Sequence, residues 1–366
     1  VRIILHAGLH KSGTTSVQAA WSAAYADHPD VSYPRRGSGP PGHHALFRPL
    51  LAAFTDGRAA DLEAARTRHA LGGDRGPGLA EVVADAAGRG TGTLLLSSES
   101  LDRAVEEDRP RLVEALGGHE LTVVLTATRP VHRWCSGWQT LVKQGMAQYP
   151  ADAGVHVLDF AALRPGRLRD LAGLLPAARR VVRLVRTVPP EPNLAAGLAA
   201  ALGLPDPERA AGQGARNASL GTDTEVVLRM NRAGLALGTS RPGRALLERW
   251  RGAGFAHRDE ESLAPRYALP ADFGRLAAEE AAWLGGAAAG EGVEVVDPHG
   301  ALEDWRDQAP PEWYAAISRR EAVVPELDEA LAGAEDCATV LWRARQELSV
   351  HRRRVGRERP AATEQA

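Results

Sequence analysis

Residues 6–18, HAGLHKSGTTSVQ, follow directly on the apolar run Val1–Leu5, VRIIL, and decide how the first forty residues fold. VRIIL alternates little and is rich in β-branched residues, as a buried strand is, while the small and polar residues from Thr14 onward open a helix. Strand, glycine-bearing turn and helix in that order make an anion site. The amides of the turn and of the first helical turn lack intrahelical partners, and the helix dipole adds partial positive charge beside them. Lys11 then supplies a full charge. The nucleotide-triphosphate loop is written GxxxxGK[ST], with lysine after the second glycine; here Gly8-Leu9-His10-Lys11-Ser12-Gly13-Thr14-Thr15 has its lysine before it.

Working outward, short apolar runs recur at 91–100 (TGTLLLSSES), 120–130 (ELTVVLTATRP), 179–187 (RRVVRLVRT) and, late in the chain, 293–296 (VEVV). Helical patterns at 45–70, 78–88, 108–117, 130–146 and 158–174 separate the earlier ones. Alternation of this kind predicts a parallel α/β sheet flanked by helices, with ligands beyond the carboxyl ends of the strands. Residues 27–44, DHPDVSYPRRGSGPPGHH, read as a long surface loop. Beyond about 190 the chain turns to Ala, Leu, Arg and Glu helices. The expected organisation is an α/β nucleotide-binding core over 1–235, helical C-terminal additions over 236–350 and a disordered tail over 351–366.

The loop KSGTT after a first strand resembles the 5'-phosphosulfate loop of sulfotransferases that use 3'-phosphoadenosine-5'-phosphosulfate, and HAGLHKSGTTSVQ is especially like the bacterial members. The resemblance implies a P-loop-like fold, that phosphosulfate nucleotide as co-substrate, and no metal. It implies that Lys11 stabilises charge on the leaving phosphate, that Ser12, Gly13, Thr14 and Thr15 hold the 5'-phosphate, and that Ser12 gates Lys11 through a hydrogen bond. In the family an arginine closing a strand and a serine two helical turns further on bind the 3'-phosphate. Arg129 and Ser136 in TATRPVHRWCSGWQT look like that pair, although they stand seven residues apart where the family has eight; either the turn is shorter or Arg133 shares the role. RNASLGTDTEVVLRMNR (216–232) resembles a late cofactor-covering segment and nominates Arg216 for the nucleotide phosphates. The likeness is concentrated at 6–18, thinner at 126–145 and thinnest beyond 240.

Two candidates stand for the base that takes the acceptor proton. Glu99 ends a strand at the ligand-facing edge, in the order where cytosolic sulfotransferases carry a catalytic histidine; His44, with His43 beside it, follows the first helix, where carbohydrate sulfotransferases carry an acidic base. Trp134 and Trp138, four apart on one helical face, suit a core more than a stack on adenine. A P-loop kinase would need lysine after Gly13 and an aspartate at a second strand end, and a non-catalytic nucleotide-binding module would need neither Lys11 nor a base.

Composition narrows the partners. The chain has 366 residues, 44% of them hydrophobic, and a formal net charge of −2, so no global basic field points to nucleic acid. Cys135 and Cys337, the two cysteines, have no ligand or disulfide spacing, and a reducing, cytoplasmic setting is expected. No uncharged apolar stretch reaches membrane-spanning length, so no stable membrane insertion is expected. The acceptor would be a hydroxyl, less readily an amine, on a glycan, lipid or small metabolite.

Overall fold

The computed structural model describes residues 1–9, 11–35, 41–55, 78–143, 165–175, 177, 179–186, 191–211, 223–232, 256–259, 272–306, 308–309 and 320–323. Its strands are β1 (Arg2–His6), β2 (Val31–Ser32), β3 (Thr93–Ser97), β4 (Glu120–Ala127), β5 (Arg179–Leu184), β6 (Ala256–Asp259), β7 (Val293–Val296) and β8 (Arg320–Val323). Six of them form one parallel sheet in the order β2-β3-β1-β4-β5-β7. β1 lies in its interior, paired with β3 on one side and β4 on the other.

Alternate residues of each strand supply two separate cores. Ile3, Leu5, Leu94, Leu96, Leu121, Val123, Leu125, Val182 and Leu184 join an apolar cluster with helices Leu79–Gly88, Arg109–Leu116 and Arg167–Leu174. Ile4, Leu95, Val124 and Val181 join the other, against α1 (Thr14–Tyr25) and helix Leu194–Ala201. Side chains of period two with helices on both faces explain why these strands read as unbroken apolar runs rather than as alternating ones. Each fully buried Leu, Ile or Val contributes about 1.5–3 kcal/mol.

β1 continues through α1 to β2 at one edge, whereas β4 continues to β5 in the opposite direction, towards the β7 edge. The crevice at the carboxyl ends of β1 and β4 is therefore the topological switch point, where sheets of this kind bind ligands.

The chain forms two compact units, and their boundary differs from the expected one at residue 235. The first unit comprises Val1–Trp134, Asp159–Ala218 and Ala271–Ala309; the second comprises Cys135–Leu158, Ser219–Pro270 and Pro310–Ala366. Part of the segment expected as a mainly helical extension packed on the core thus supplies a strand of the sheet itself. Helix Phe273–Ala282 leads into β7, and Trp283, Leu284, Ala288, Val293, Ala301 and Trp305 are buried in the first apolar cluster. Glu294, exposed on β7, bonds Arg179 of β5 at 2.8 Å. In the second unit β6 and β8 pair antiparallel, and Asn231 of helix Asp223–Arg232 donates to the Val142 carbonyl at 2.8 Å. β2 was hidden in the expected surface loop because two residues carry no periodicity. Among the described residues no helix is long and apolar enough to cross a membrane. The tail 351–366 lies outside the described residues.

Candidate active site

Where β1 ends, the chain keeps to β4: Ala7 N donates to Val124 O at 2.8 Å and Leu9 N to Thr126 O at 3.0 Å. Gly8 is needed for that approach. A Cβ there would stand 2.1 Å from Thr14 Oγ1 and 2.6 Å from Thr126 Oγ1. The chain then folds back in a turn closed by Ser12 N donating to Leu9 O at 3.1 Å, with Lys11 at φ 68°. A left-handed lysine costs about 1–2 kcal/mol, so the turn is strained where it presents the cation. Gly13 follows at φ 85°, and a Cβ on it would also meet Leu194 Cδ2 at 2.9 Å.

Gly13 caps α1 without a side-chain hydrogen bond, and the first turn of the helix holds no acidic residue. Ser16 and Val17 both donate to Gly13 O, at 3.0 and 3.1 Å, so the amides ahead of them sit at an open, positively polarised helix end. Thr15 points from this end to Glu99, its Oγ1 donating to Oε1 at 3.4 Å. Burial lowers the pKa of Lys11 from its ordinary value, and the negative charge of Glu99 partly opposes that. Lys11, Thr15 and Glu99 thus come together at the ends of β1 and β3.

Ser12 departs from its expected role. Its hydroxyl is buried, donating to Leu9 O at 2.6 Å and lying 2.9 Å from Thr126 Oγ1. With its amide also given to Leu9 O, the residue braces the turn from inside. Thr14 is buried behind it, its Oγ1 3.4 Å from Ser12 Oγ. Thr128 ties the same turn to the end of β4 by donating to Lys11 O at 3.4 Å.

The two candidate bases converge on the end of β3. His43 is committed to structure: its N donates to Ser97 O at 2.7 Å, and its Nδ1 accepts from Ser97 N at 2.9 Å. That acceptor role makes the ring neutral with its proton on Nε2, which donates to Pro34 O at 2.8 Å. His44, next in the chain, places Nδ1 3.3 Å from Ser98 Oγ and 3.4 Å from Ser100 Oγ, the hydroxyls on either side of Glu99. Arg48 Nε donates to the same Ser100 hydroxyl at 3.2 Å.

At the end of β4, Arg129 is half-buried, with Nη2 2.7 Å from His132 Nε2 and 3.2 Å from the Ala309 carbonyl it donates to. His132 Nε2 must accept from a guanidinium, so that ring is neutral. Arg133 is turned away into the protein. It is fully buried, bonds Glu280 Oε1 at 2.8 Å and lies over the Trp305 ring at 5.8 Å, while Glu280 Oε2 accepts from Gly166 N at 2.5 Å. Helix Pro130–Lys143 begins in the first unit, but Ser136 belongs to the second, where its carbonyl accepts from Thr140 Oγ1 at 3.2 Å. Trp134 and Trp138 are buried, Trp134 edge-on to Phe273 with ring centroids 5.7 Å apart. Arg216 lies outside the described residues.

His6, Ser97 and Thr126 complete the site's foundation and were not singled out from sequence. Each sits within two residues of the end of an apolar strand, and that shared position is the signal by which they could have been found. No family model, characterised protein or solved structure matches the chain.

Proposed function

We propose that this chain is a P-loop-like sulfotransferase that moves a sulfuryl group from 3'-phosphoadenosine-5'-phosphosulfate to a hydroxyl of a glycan, lipid or small metabolite. The observation that carries the reading is the strained turn that sets Lys11 beside the uncapped N-terminus of α1, with Glu99 facing it from the short 3-10 helix Glu99–Arg103 just beyond β3. Of the 44 lysines and arginines in the chain, only Lys11 and Lys143 are lysine. In so arginine-rich a chain, a lysine here suits a site that needs a compact point charge rather than a planar fork.

These residues fit the 5'-phosphate half of the nucleotide: backbone donors, a helix dipole, the Thr15 hydroxyl and one ammonium group converge on one place. The 3'-phosphate half rests on Arg129 alone. When bound, the donor would supply a sulfuryl group carried on a phosphate leaving group. Lys11 and the amides of the turn would stabilise negative charge on the bridging oxygen as it departs. Glu99 would accept the acceptor hydroxyl's proton as the new oxygen–sulfur bond forms, with His44 beside it to orient the acceptor.

Calorimetry with 3'-phosphoadenosine-5'-phosphate, set against ATP with magnesium, tests the nucleotide. Tight binding of the first and none of the second supports the reading; the reverse preference overturns it in favour of a kinase. Binding without transfer of labelled sulfate to any of a panel of hydroxyl acceptors would point to the non-catalytic module.

A further inference from the structure

Four buried side chains beneath the Lys11 turn, each 0% exposed, form a chain whose proton positions can be worked out link by link. The Leu9 carbonyl can only accept, so the Ser12 hydroxyl, 2.6 Å away, donates to it. With its one proton committed, Ser12 Oγ accepts from Thr126 Oγ1 at 2.9 Å. Thr126 has then committed its own proton, so at 3.0 Å it accepts from His6 Nε2, which must carry hydrogen. Burial pushes the His6 pKa down to about 3, so the ring is neutral and Nδ1 is bare. Nδ1 therefore accepts from the Ser97 hydroxyl at 2.8 Å. Trp21 packs edge-on against the ring, centroids 5.3 Å apart, and holds its plane.

Every link runs in the same direction, and the last one lands on the carbonyl that also closes the left-handed turn. We propose that His6, as its Nε2–H tautomer, is a positioning residue for Lys11: the relay Ser97 to His6 to Thr126 to Ser12 to the Leu9 carbonyl holds the strained turn that presents the ammonium group. Without the relay the turn keeps only its Ser12 N–Leu9 O bond and the longer 3.4 Å tie from Thr128 to Lys11 O, and Lys11 relaxes out of its half-buried position. The consequence for turnover rests on the sulfuryl-transfer reading; the effect on Lys11 itself does not.

Two variants cut the relay at different links, His6→Phe at the ring and Thr126→Val at the hydroxyl. A third, His6→Gln, carries an amide N–H that reaches the Nε2 position and keeps the donor to Thr126. Lys11 titration is read from the pH dependence of acylation by an amine-reactive ester, quantified by peptide mass spectrometry, with Lys143 as the internal reference. The two cut variants are expected to raise the apparent pKa of Lys11 towards the ordinary lysine value by at least ~0.5, and His6→Gln to leave it in place. Turnover with 3'-phosphoadenosine-5'-phosphosulfate should fall about tenfold or more in the cut variants and stay within about threefold in His6→Gln. Nitrogen-15 NMR of histidine-labelled protein should find the His6 proton on Nε2.

Unchanged Lys11 titration in folded Thr126→Val overturns the proposal, and so does a proton on Nδ1. Should His6→Phe fail to fold, Thr126→Val decides alone, since it removes one hydroxyl from the same chain at nearly constant volume. A Lys11 that responds as expected in a protein that transfers no sulfate would keep the relay and discard the sulfotransferase.

Discussion

Lys11 and Arg133 are both cations near the carboxyl ends of the sheet, and the protein treats them in opposite ways. Arg133 is inside a helix, fully buried and matched to a buried Glu280 whose second oxygen is also bonded. Lys11 stands in a left-handed turn, makes no ion pair among the described residues, and feels Glu99 only through space. One charge is neutralised where it stands. The other is held under strain and desolvation with its attraction left for a ligand. Charge alone does not mark a functional residue; what matters is whether the fold has already paired it with an opposite charge.

The largest expected effect tests the Lys11 side of that contrast. Lys11→Ala should abolish sulfuryl transfer while the folded protein melts within a few degrees of the parent, because the side chain bears on charge that develops during reaction and not on the core. Near-normal transfer by that variant would remove Lys11 from the mechanism. Arg133 should respond in the other currency. Arg133→Met leaves Glu280 charged and unpaired in the interior, a loss of about 3–5 kcal/mol in urea denaturation. What remains folded should bind 3'-phosphoadenosine-5'-phosphate normally; weakened binding per folded molecule would return Arg133 to the 3'-phosphate.

The same contrast governs how much was legible in the sequence. Five strands of the sheet were readable as mostly apolar runs; for the interior strands β1, β3 and β4 burial on both faces produces such a run, while edge strand β7 shows as VEVV with Glu294 exposed. β2 was not, since two residues cannot show a pattern. The turn at Lys11 was readable as a local event, six or seven residues between a strand and a helix. Arg133 was not separable from Arg129, because the partner that removes it, Glu280, lies 147 positions away. His6, Ser97 and Thr126 escaped for the same reason: three separate strands bring them together. The return of 271–309 to the sheet was masked by its helical composition, although VEVV was visible within it.

Glu99→Gln sharpens the comparison from the carboxylate's side. The amide preserves volume and can still accept from Thr15, so nucleotide binding should persist while kcat falls by ~10²-fold. Lys11 should titrate lower still, because the attraction that opposes its desolvation is gone. His44→Ala should act chiefly on the acceptor KM. If Glu99→Gln keeps full kcat and His44→Ala abolishes a rising limb of the pH profile through neutrality, the base is His44.

The smallest effect concerns the foundation of the Lys11 turn and is read as stability rather than rate. His6 is neutral in the folded protein, its pKa depressed to about 3 by burial, whereas in the unfolded chain it has the ordinary value of 6.5. Below pH 6.5 the unfolded state therefore binds a proton that the folded state refuses. Stability from this group is complete above 6.5, declines as pH falls by at most about 1.4 kcal/mol per pH unit, and levels off below about 3. By pH 5 the accumulated loss is about 2 kcal/mol. His6→Gln has no such proton to bind, so urea denaturation at pH 7 and pH 5 should show the parent losing about 2 kcal/mol more than the variant between the two. Equal losses would mean that the imidazole takes its proton inside the folded protein. A charged His6 would donate from both nitrogens, Ser97 could no longer donate to Nδ1, and the one-way relay beneath Lys11 would not exist in that form.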